Sequence, residues 1–246
     1  MKKKILIIPD VHGRDFWMKA LENGDYEKII FLGDYVDPYV FEGIDNYRAL
    51  SVFKEIMSLK IIYRDKVVLL YGNHDLCYFS DHFHDMTGGD RYDYENKEEL
   101  QHLFRNWSRY FKLAHEETIG GKRFLFSHAG VTQPWLKQNL NVIVKPDENP
   151  LNALLNSREG IDSLAQVGRA RYGKYLSGSI VWADVEELAK SNPIQDTYQI
   201  VGHTMQIDGP IITDHFACLD CRAAFSLDQD GKINPVTEIT PYEIIW

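Results

Sequence analysis

The sequence predicts an α/β protein built on two β-sheets, each covered by helices. Three observations lead there: short continuous apolar runs in the N-terminal half, amphipathic stretches between them, and a change after about residue 117 to brief strand-like runs joined by tight turns. The chain has 246 residues, of which 44% are hydrophobic and 26% charged. That composition excludes disorder of the whole and fits one globular unit with a large core.

Taken in order, the first half repeats one arrangement three times. Residues 4–9 lead into Asp10-Val11-His12-Gly13, residues 28–32 into Gly33-Asp34-Tyr35-Val36-Asp37, and residues 67–71 into Gly72-Asn73-His74-Asp75. The runs are rich in Ile, Val and Leu, and segments such as 47–60 between them are amphipathic at helical spacing. Unbroken apolar runs read as buried parallel strands with helical crossovers, the βαβ unit. Further on, 117–119, Gly120-Gly121 and 123–126 form a predicted hairpin, because paired glycines supply the positive φ angles of a two-residue turn. Strands follow at 199–201, 211–212, 216–219 and 232–238, the last entered through the polar turn 228–231. This half is therefore expected to be partly antiparallel.

Two inserts interrupt the plan. Residues 80–116 begin polar and turn helical over about 97–114, where Leu100, Leu103, Phe104, Trp107 and Phe111 recur at three-to-four spacing. Residues 133–192 are expected to be mostly helical and contain Pro146, Pro150 and Gly160. With no linker tract and no repeat at a fixed period, residues 1–246 read as a single domain with helical inserts at about 80–116 and 133–192, possible lids or caps.

Charge and cysteine content narrow the function. Lys+Arg number 27 against 36 Asp+Glu, a net charge of −9, so the average field repels phosphate backbones and no nucleic-acid partner is expected. A local cationic or metal-bearing cleft can still bind an anion. No apolar run approaches the ~20 residues that cross a bilayer, so no membrane partner is expected either. Lysines at 2–4 before the apolar 5–8 superficially resemble a signal peptide, but Pro9 and Asp10 end the run before an h-region of about 7–15 residues is complete. The mature chain is expected to begin at or near Met1, in the cytoplasm, and three cysteines, odd in number and few for this length, fit that compartment. Cys218 and Cys221 make a CxxC within 215–227, a run that reads as extended. Residues three apart on a strand point to opposite faces and no second CxxC exists, so the pair reads as buried structural thiols rather than a zinc or redox site.

The polar residues at the strand ends carry the chemistry: Asp10 and His12, Asp34 and Asp37, Asn73 and His74, His128 in Ser127-His128-Ala129-Gly130, and His203 in Gly202-His203-Thr204. Open α/β sheets bind ligands beyond the carboxyl ends of their strands, so these residues are expected to converge. Carboxylates, imidazoles and an amide together suit Mn, Fe or Zn, whereas Ca favours oxygen alone. Each has a plainer reading: an Asp after a strand is commonly a turn former or N-cap, and a lone His a hydrogen-bonded structural residue. Five such turns, each following an apolar run and each bearing a residue able to bind metal, make coincidence a poor account.

As an ordered set these motifs resemble those of the calcineurin-like metallophosphoesterases, most closely the phosphoprotein phosphatase branch with its GDxHG, GDxVDRG, GNHE, HGG or HAG, and GH. Ser179-Ile180-Val181-Trp182-Ala183-Asp184 is similar to that branch's LLWSDP segment, and residues 219–225 resemble the strand that follows its final GH. The resemblance implies a four-layer αββα sandwich of two mixed sheets, the metallo-dependent phosphatase fold, carrying two divalent or trivalent metal ions, Mn, Fe or Zn. It implies that Asp10 and His12 bind the first metal, that Asp34 bridges both, and that Asn73, His128 and His203 complete the second. His74 would be the general acid and Asp37 the carboxylate that holds its imidazole. The implied reaction is hydrolysis of a phosphate monoester by attack of metal-bound hydroxide.

Departures from the family shape the rest. Pro38-Tyr39 stands where the branch has an Arg that clamps the substrate phosphate, position 75 is Asp rather than Glu, and Met205 replaces the second His of GHxH, as in that branch. Arg14, Arg48, Arg169 and Arg171 are candidates for the lost clamp, with Arg14 and Arg171 put forward as substrate-binding; each also reads as an ordinary solvated charge. His82, His84, Tyr92 and Tyr94 either line the rim and stack on a substrate's organic part or belong to a packed loop. The missing Arg and the acidic surface put a small phosphorylated molecule ahead of a phosphoprotein as substrate, with a dinucleoside polyphosphate third. A non-catalytic scaffold would show loss of a ligand or of the acid, and none of the matched positions is lost. Oligomeric state and native metal are open at this point.

Overall fold

The computed structural model describes residues 4–22, 24–143 and 147–239. Of the readings above, residues 1–3 of the leader-like stretch and Pro146 lie outside them. In chain order the strands are β1 (Ile5–Ile8), β2 (Lys28–Phe31), β3 (Val67–Leu70), β4 (Phe111–Lys112), β5 (Ala114–Ile119), β6 (Lys122–Ser127), β7 (Thr197–Val201), β8 (Ile211–Ile212), β9 (Phe216–Cys218), β10 (Phe225–Leu227) and β11 (Ile233–Pro235). The first sheet has the order β11-β10-β1-β2-β3-β4, parallel from β1 to β4 and antiparallel at β10 and β11. The second, β5-β6-β7-β9-β8, has parallel β6, β7 and β9 between antiparallel edges.

The unbroken apolar runs are explained by burial on both faces. Leu6, Ile8, Ile29, Phe31, Val67 and Leu69 pack against Trp17 of α1 (Phe16–Glu22) and Phe53 and Ile56 of α2 (Asn46–Tyr63). Their neighbours Ile5, Ile7, Ile30, Leu32, Val68 and Leu70 share an inter-sheet core with Phe124, Phe126, Tyr198 and Ile200 of the second sheet. Helix α2 starts where Asp45 accepts a hydrogen bond from Arg48 N at 2.7 Å. The two mixed sheets flanked by helices that the sequence predicts are borne out, as is the hairpin, whose Gly120 and Gly121 have φ of +57° and +81°.

The inserts differ from expectation. The first carries α3 (Asn73–Phe79), α4 (Asp81–Thr87) and α5 (Lys97–Asn106), and α5 ends eight residues before the predicted 114. Phe111 instead pairs with Leu69 as part of β4, and its ring stacks on Tyr71 at 4.8 Å. Sheet pairing and aromatic packing at this edge outweigh the helical periodicity. The second insert, expected to be mostly helical, carries only short helices, α6 (Gln133–Gln138), α7 (Glu148–Ala153), α8 (Arg158–Leu164) and α9 (Val185–Lys190), with irregular chain among its other described residues. Buried polar residues stabilise the irregular parts, as where Asn139 and Gln166 exchange two amide hydrogen bonds of 2.9 and 3.0 Å. Leu188 and Val185 of α9 cover Val201, Phe216 and Cys218 on the outer face of the second sheet.

Residues 215–227 are likewise not one extended run, nor is 219–225 a strand. The chain leaves the second sheet after Cys218, bends, and joins the first at β10, a crossing between layers that no single strand can make. Cys221 lies in that bend, so the opposite-face argument does not apply to it; both thiols are nevertheless buried and unpaired.

A charge cluster away from the strand ends ties the second insert to the sheets. His115 Nε2 meets Glu117 Oε1 at 2.9 Å and Nδ1 meets Glu148 Oε2 at 3.5 Å, while Lys28 pairs with Glu117 and Lys112 with Glu148. The His115 hydrogen bond holds Glu117 down to about 2. Burial opposes ionisation of Glu148, but bonds from His115 and Lys112 outweigh it and also bring it to about 2. At His115 itself burial is outweighed by the two carboxylates, which raise its pKa. The carboxylate contribution to stability is complete above the ordinary carboxylate pKa and lost as pH falls towards 2; the imidazole contribution is complete below its ordinary 6.5 and lost as pH rises through the raised value. His115→Phe should therefore cost most near pH 5.5, about 1 kcal/mol, and less at pH 3 and 9. Urea midpoints of both proteins at the three pH values check this; a cost that does not vary with pH would contradict it.

Candidate metal centre

The turns after β1, β2, β3, β6 and β7 converge at one end of the two sheets. Val11 N and His12 N donate to Asp34 O at 3.0 and 2.7 Å, and His203 N donates to the Asp10 carboxylate at 3.1 and 2.9 Å. Asp75, buried, accepts from Gly72 N, Asp34 N and Tyr35 N at 2.7, 2.8 and 3.1 Å and so locks two turns together. His12, Asp34, Asp37 and His203 all have φ between +45° and +65°, where non-glycine residues are strained and persist only if their surroundings hold them. Two glycines are required by close approach: a Cβ at Gly72 would overlap Asp34 Oδ1, and one at Gly202 would overlap Asp10 Oδ2.

Two groups of donor atoms result. Asp10, His12 and Asp34 place one ligand atom each within 4.8 Å of one another, and Asp34, His128 and His203 do the same. Asp34 is common to both. His12 Nδ1 lies 2.8 Å from Val36 O and His128 Nδ1 lies 3.0 Å from Leu32 O, which puts the protons on Nδ1 and turns the Nε2 lone pairs inward. His128 Nε2 then faces Asn73 Oδ1 at 3.1 Å, His203 Nδ1 at 3.0 Å and Asp34 Oδ2 at 3.4 Å. His203 Nε2 is buried with no hydrogen-bond partner. Electron pairs crowd together here as they would around a cation, and the carboxylate and imidazole donors of both groups are of the kind that suits metal ions of intermediate hardness.

The electrostatics agree with that crowding. Burial lowers the pKa of His12 and of His203 well below the ordinary value, which keeps both rings neutral. Burial also opposes charge on His128, but the carboxylates of Asp34 and Asp10 outweigh it and lift its imidazole to about 9, so with no cation present a second proton occupies Nε2, the position that a metal ion would take in its place. Asp220, which the motif reading passed over, is buried close by with Oδ1 unpartnered, and burial and the Asp10 charge raise its carboxyl.

His74 opens helix α3 beside this centre, its ring 5.2 Å from that of His12. Its Nδ1 lies 2.8 Å from Asp37 Oδ2, and the other carboxylate oxygen accepts from Tyr78 OH at 2.5 Å. Burial opposes a charge on His74, but the Asp34 charge and the Asp37 bond outweigh it and raise its pKa. A ring so held, with Nε2 turned away from its carboxylate, can deliver a proton. Tyr78 was absent from the sequence reading; its place four residues after His74, one helical turn on, is the signal that could have found it.

Of the arginine candidates, Arg14 and Arg171 reach the border of the site and Arg48 and Arg169 do not. Arg14 donates to Asp10 O at 3.2 Å and makes a two-point pair with Glu42 at 2.8 and 3.0 Å. Arg171 bonds Thr204 Oγ1 at 2.9 Å and pairs with Asp184 at 3.3 Å. Arg48 pairs with exposed Asp15, and Arg169 is exposed. Missed altogether was Arg91, in the loop 88–96, whose Nη2 lies 3.0 Å from His74 Nε2. In the same insert Tyr92 stacks on Tyr78 at 4.4 Å and His84 packs on Tyr92, His82 pairs with Asp162 of α8, and Tyr94 stays exposed.

Comparison with known proteins agrees with the geometry. The sequence profile of the calcineurin-like phosphoesterases matches residues 3–206. Over 188 residues, 74% of this chain, the sequence is 25% identical to a probable serine/threonine-protein phosphatase of Encephalitozoon cuniculi (strain GB-M1), of which the match covers 38%. The chain thus spans less than half the length of that relative. Among solved structures it resembles a protein serine/threonine phosphatase from Saccharomyces cerevisiae with similarity to human phosphatase PP5, with a TM-score of 0.55 at 16% identity over 99% of this chain and 82% of that one. It also resembles a hypothetical protein from Pyrococcus horikoshii OT3, with a TM-score of 0.51 at 14% identity over 98% and 89%. These two likenesses bear on the fold.

Proposed function

The chain belongs to the calcineurin-like phosphoesterase family, and from that premise we propose that it hydrolyses a phosphate monoester at a centre of two metal ions. The observation that carries this is the pair of donor groups sharing Asp34, with the His74–Asp37 pair alongside. Asp10, His12 and Asp34 would hold one ion and Asp34, Asn73, His128 and His203 the other; Mn, Fe or Zn suits the set. When bound, the ions make a nucleophile of water at neutral pH and neutralise charge growing on the phosphoryl oxygens.

The chain's own groups do the rest. Asp37 orients His74, Tyr78 fixes Asp37, and His74 Nε2 protonates the departing alkoxide. The whole chain is read as one catalytic domain, with the segments at about 80–116 and 133–192 as its inserts. Pro38 in place of the family's arginine and the net charge of −9 favour a small phosphorylated molecule as substrate. The similarity to a probable serine/threonine-protein phosphatase favours a phosphoprotein as the second reading. Three buried, unpaired thiols support the cytoplasm as the compartment. Among the described residues no helix is long and apolar enough to cross a membrane.

The test is turnover of nitrophenyl phosphate beside bis-nitrophenyl phosphate, with metal removed by chelator and restored as Mn, followed by a panel of phosphometabolites and phosphopeptides. Metal-dependent preference for the monoester is expected. Preference for the diester would refute the monoester reading.

A further inference from the structure

A phosphate monoester presents a compact dianion, and two cations on one side of it leave the outer oxygens in need of a fixed donor pair. The family's residue for that task is replaced here by Pro38. Arg14 gives two nitrogens to Glu42, Arg222 lies 3.6 Å from the same carboxylate, and Arg171 faces Asp184. Arg91 is held differently. Its Nη1 donates to Asp37 O at 2.6 Å, its Nη2 lies 3.0 Å from His74 Nε2, and the guanidinium lies over the Tyr39 ring at 3.7 Å. The side chain is 16% exposed; it pairs with Asp90, 3.4 Å from Nε and itself 86% exposed, and its charge also acts on the Asp37 carboxylate.

The position matters more than the charge. His74 Nδ1 is committed to Asp37, so Nε2 is the edge that meets a substrate, and Arg91 Nη2 sits against that edge. Guanidinium has five donors and no acceptor, so Nη2 can only give a hydrogen to the Nε2 lone pair. A phosphoryl oxygen bound between His74 and the metal groups is a better acceptor, being anionic, and a short swing on the Tyr39 platform transfers Nη2 to it. Tyr39 directly follows the proline that displaces the family's arginine, and its ring also packs edge-on against His12 at 5.0 Å.

We propose that Arg91, brought in by the first insert and stacked on Tyr39, is the residue that clamps the substrate's phosphoryl group and leaves His74 free to act when it does so. The inference rests on the monoesterase reading above.

Inorganic phosphate, the shared product of all phosphate monoesters, is the probe. Titrated calorimetrically into the Mn-loaded protein, it should bind roughly tenfold or more weakly to Arg91→Gln than to wild type. Phenyl phosphate should lose about a hundredfold in kcat/KM, with metal content unchanged. Arg91→Lys should recover part of the affinity, because a point charge replaces a fork. Tyr39→Leu, which keeps the guanidinium but removes its platform, should weaken phosphate binding to a lesser degree. Wild-type phosphate affinity in Arg91→Gln would overturn the proposal; if that variant fails to fold or load metal, wild-type affinity in Tyr39→Leu would do so instead. A wild-type enzyme that prefers diesters, yet loses phosphate binding with Arg91, would sink the monoester reading and leave the clamp standing.

Discussion

Asp34→Asn should leave the purified protein with no more than about half its metal and reduce turnover by roughly 10³-fold, because this carboxylate is the one group common to both donor sets. Asn keeps the size of the side chain but offers a single neutral acceptor, so it cannot face two cations. The fold should survive. Asp34 O still receives Val11 N and His12 N, and Asp34 N still donates to Asp75, since these bonds use the backbone. Elemental analysis after gel filtration in Mn, paired with a thermal melt, separates loss of metal from loss of structure. A variant with full occupancy and wild-type turnover would contradict the bridging role.

His74→Asn should separate two substrates rather than two folds. An alkyl phosphate expels an alkoxide that needs a proton, so its turnover should drop by about 10³-fold. Nitrophenolate leaves with little protonation, so nitrophenyl phosphate should lose only about tenfold. Metal content should be unaltered, since Asn73, His128 and the carboxylates are intact. Tyr78→Phe, which removes the 2.5 Å bond to Asp37, should show the same asymmetry in weaker form. Equal loss on both substrates in His74→Asn would mean that the residue positions or binds rather than donating the proton.

How much of this could be read beforehand follows from what sequence spacing encodes. β1, β2 and β3 are buried on both faces, so their unbroken apolar runs stood out, and the polar residues that follow them were bound to share one edge of the sheet. The glycines at 120 and 121 announced their turn because few other residues adopt that geometry. Phe111 was misread because its periodicity with Phe104 is real, the two rings lying 5.5 Å apart, but it arises across a helix–strand junction rather than along one helix. Arg91 was missed for a different reason. Nothing in Gly88-Gly89-Asp90-Arg91 says which cleft the loop leans over; only the Tyr39 ring and the folded first insert fix that. The left-handed backbone of His12, Asp34, Asp37 and His203 had no signal either, since each is imposed by neighbours distant in sequence.

The bond between His203 N and the Asp10 carboxylate joins positions 193 residues apart. A chain emerging from the ribosome makes Asp10, His12, Asp34 and Asn73 early, yet it must extend beyond β7 before that contact can close. Contacts of such long range form late and are slow to find. Metal capture should thus be one of the last events of biogenesis, and a nascent or truncated chain ending before residue 203 should not retain the second ion. Because the ions would sit at the seam where both sheets end, the seam cannot part without releasing them, and loaded protein should unfold far more slowly than stripped protein.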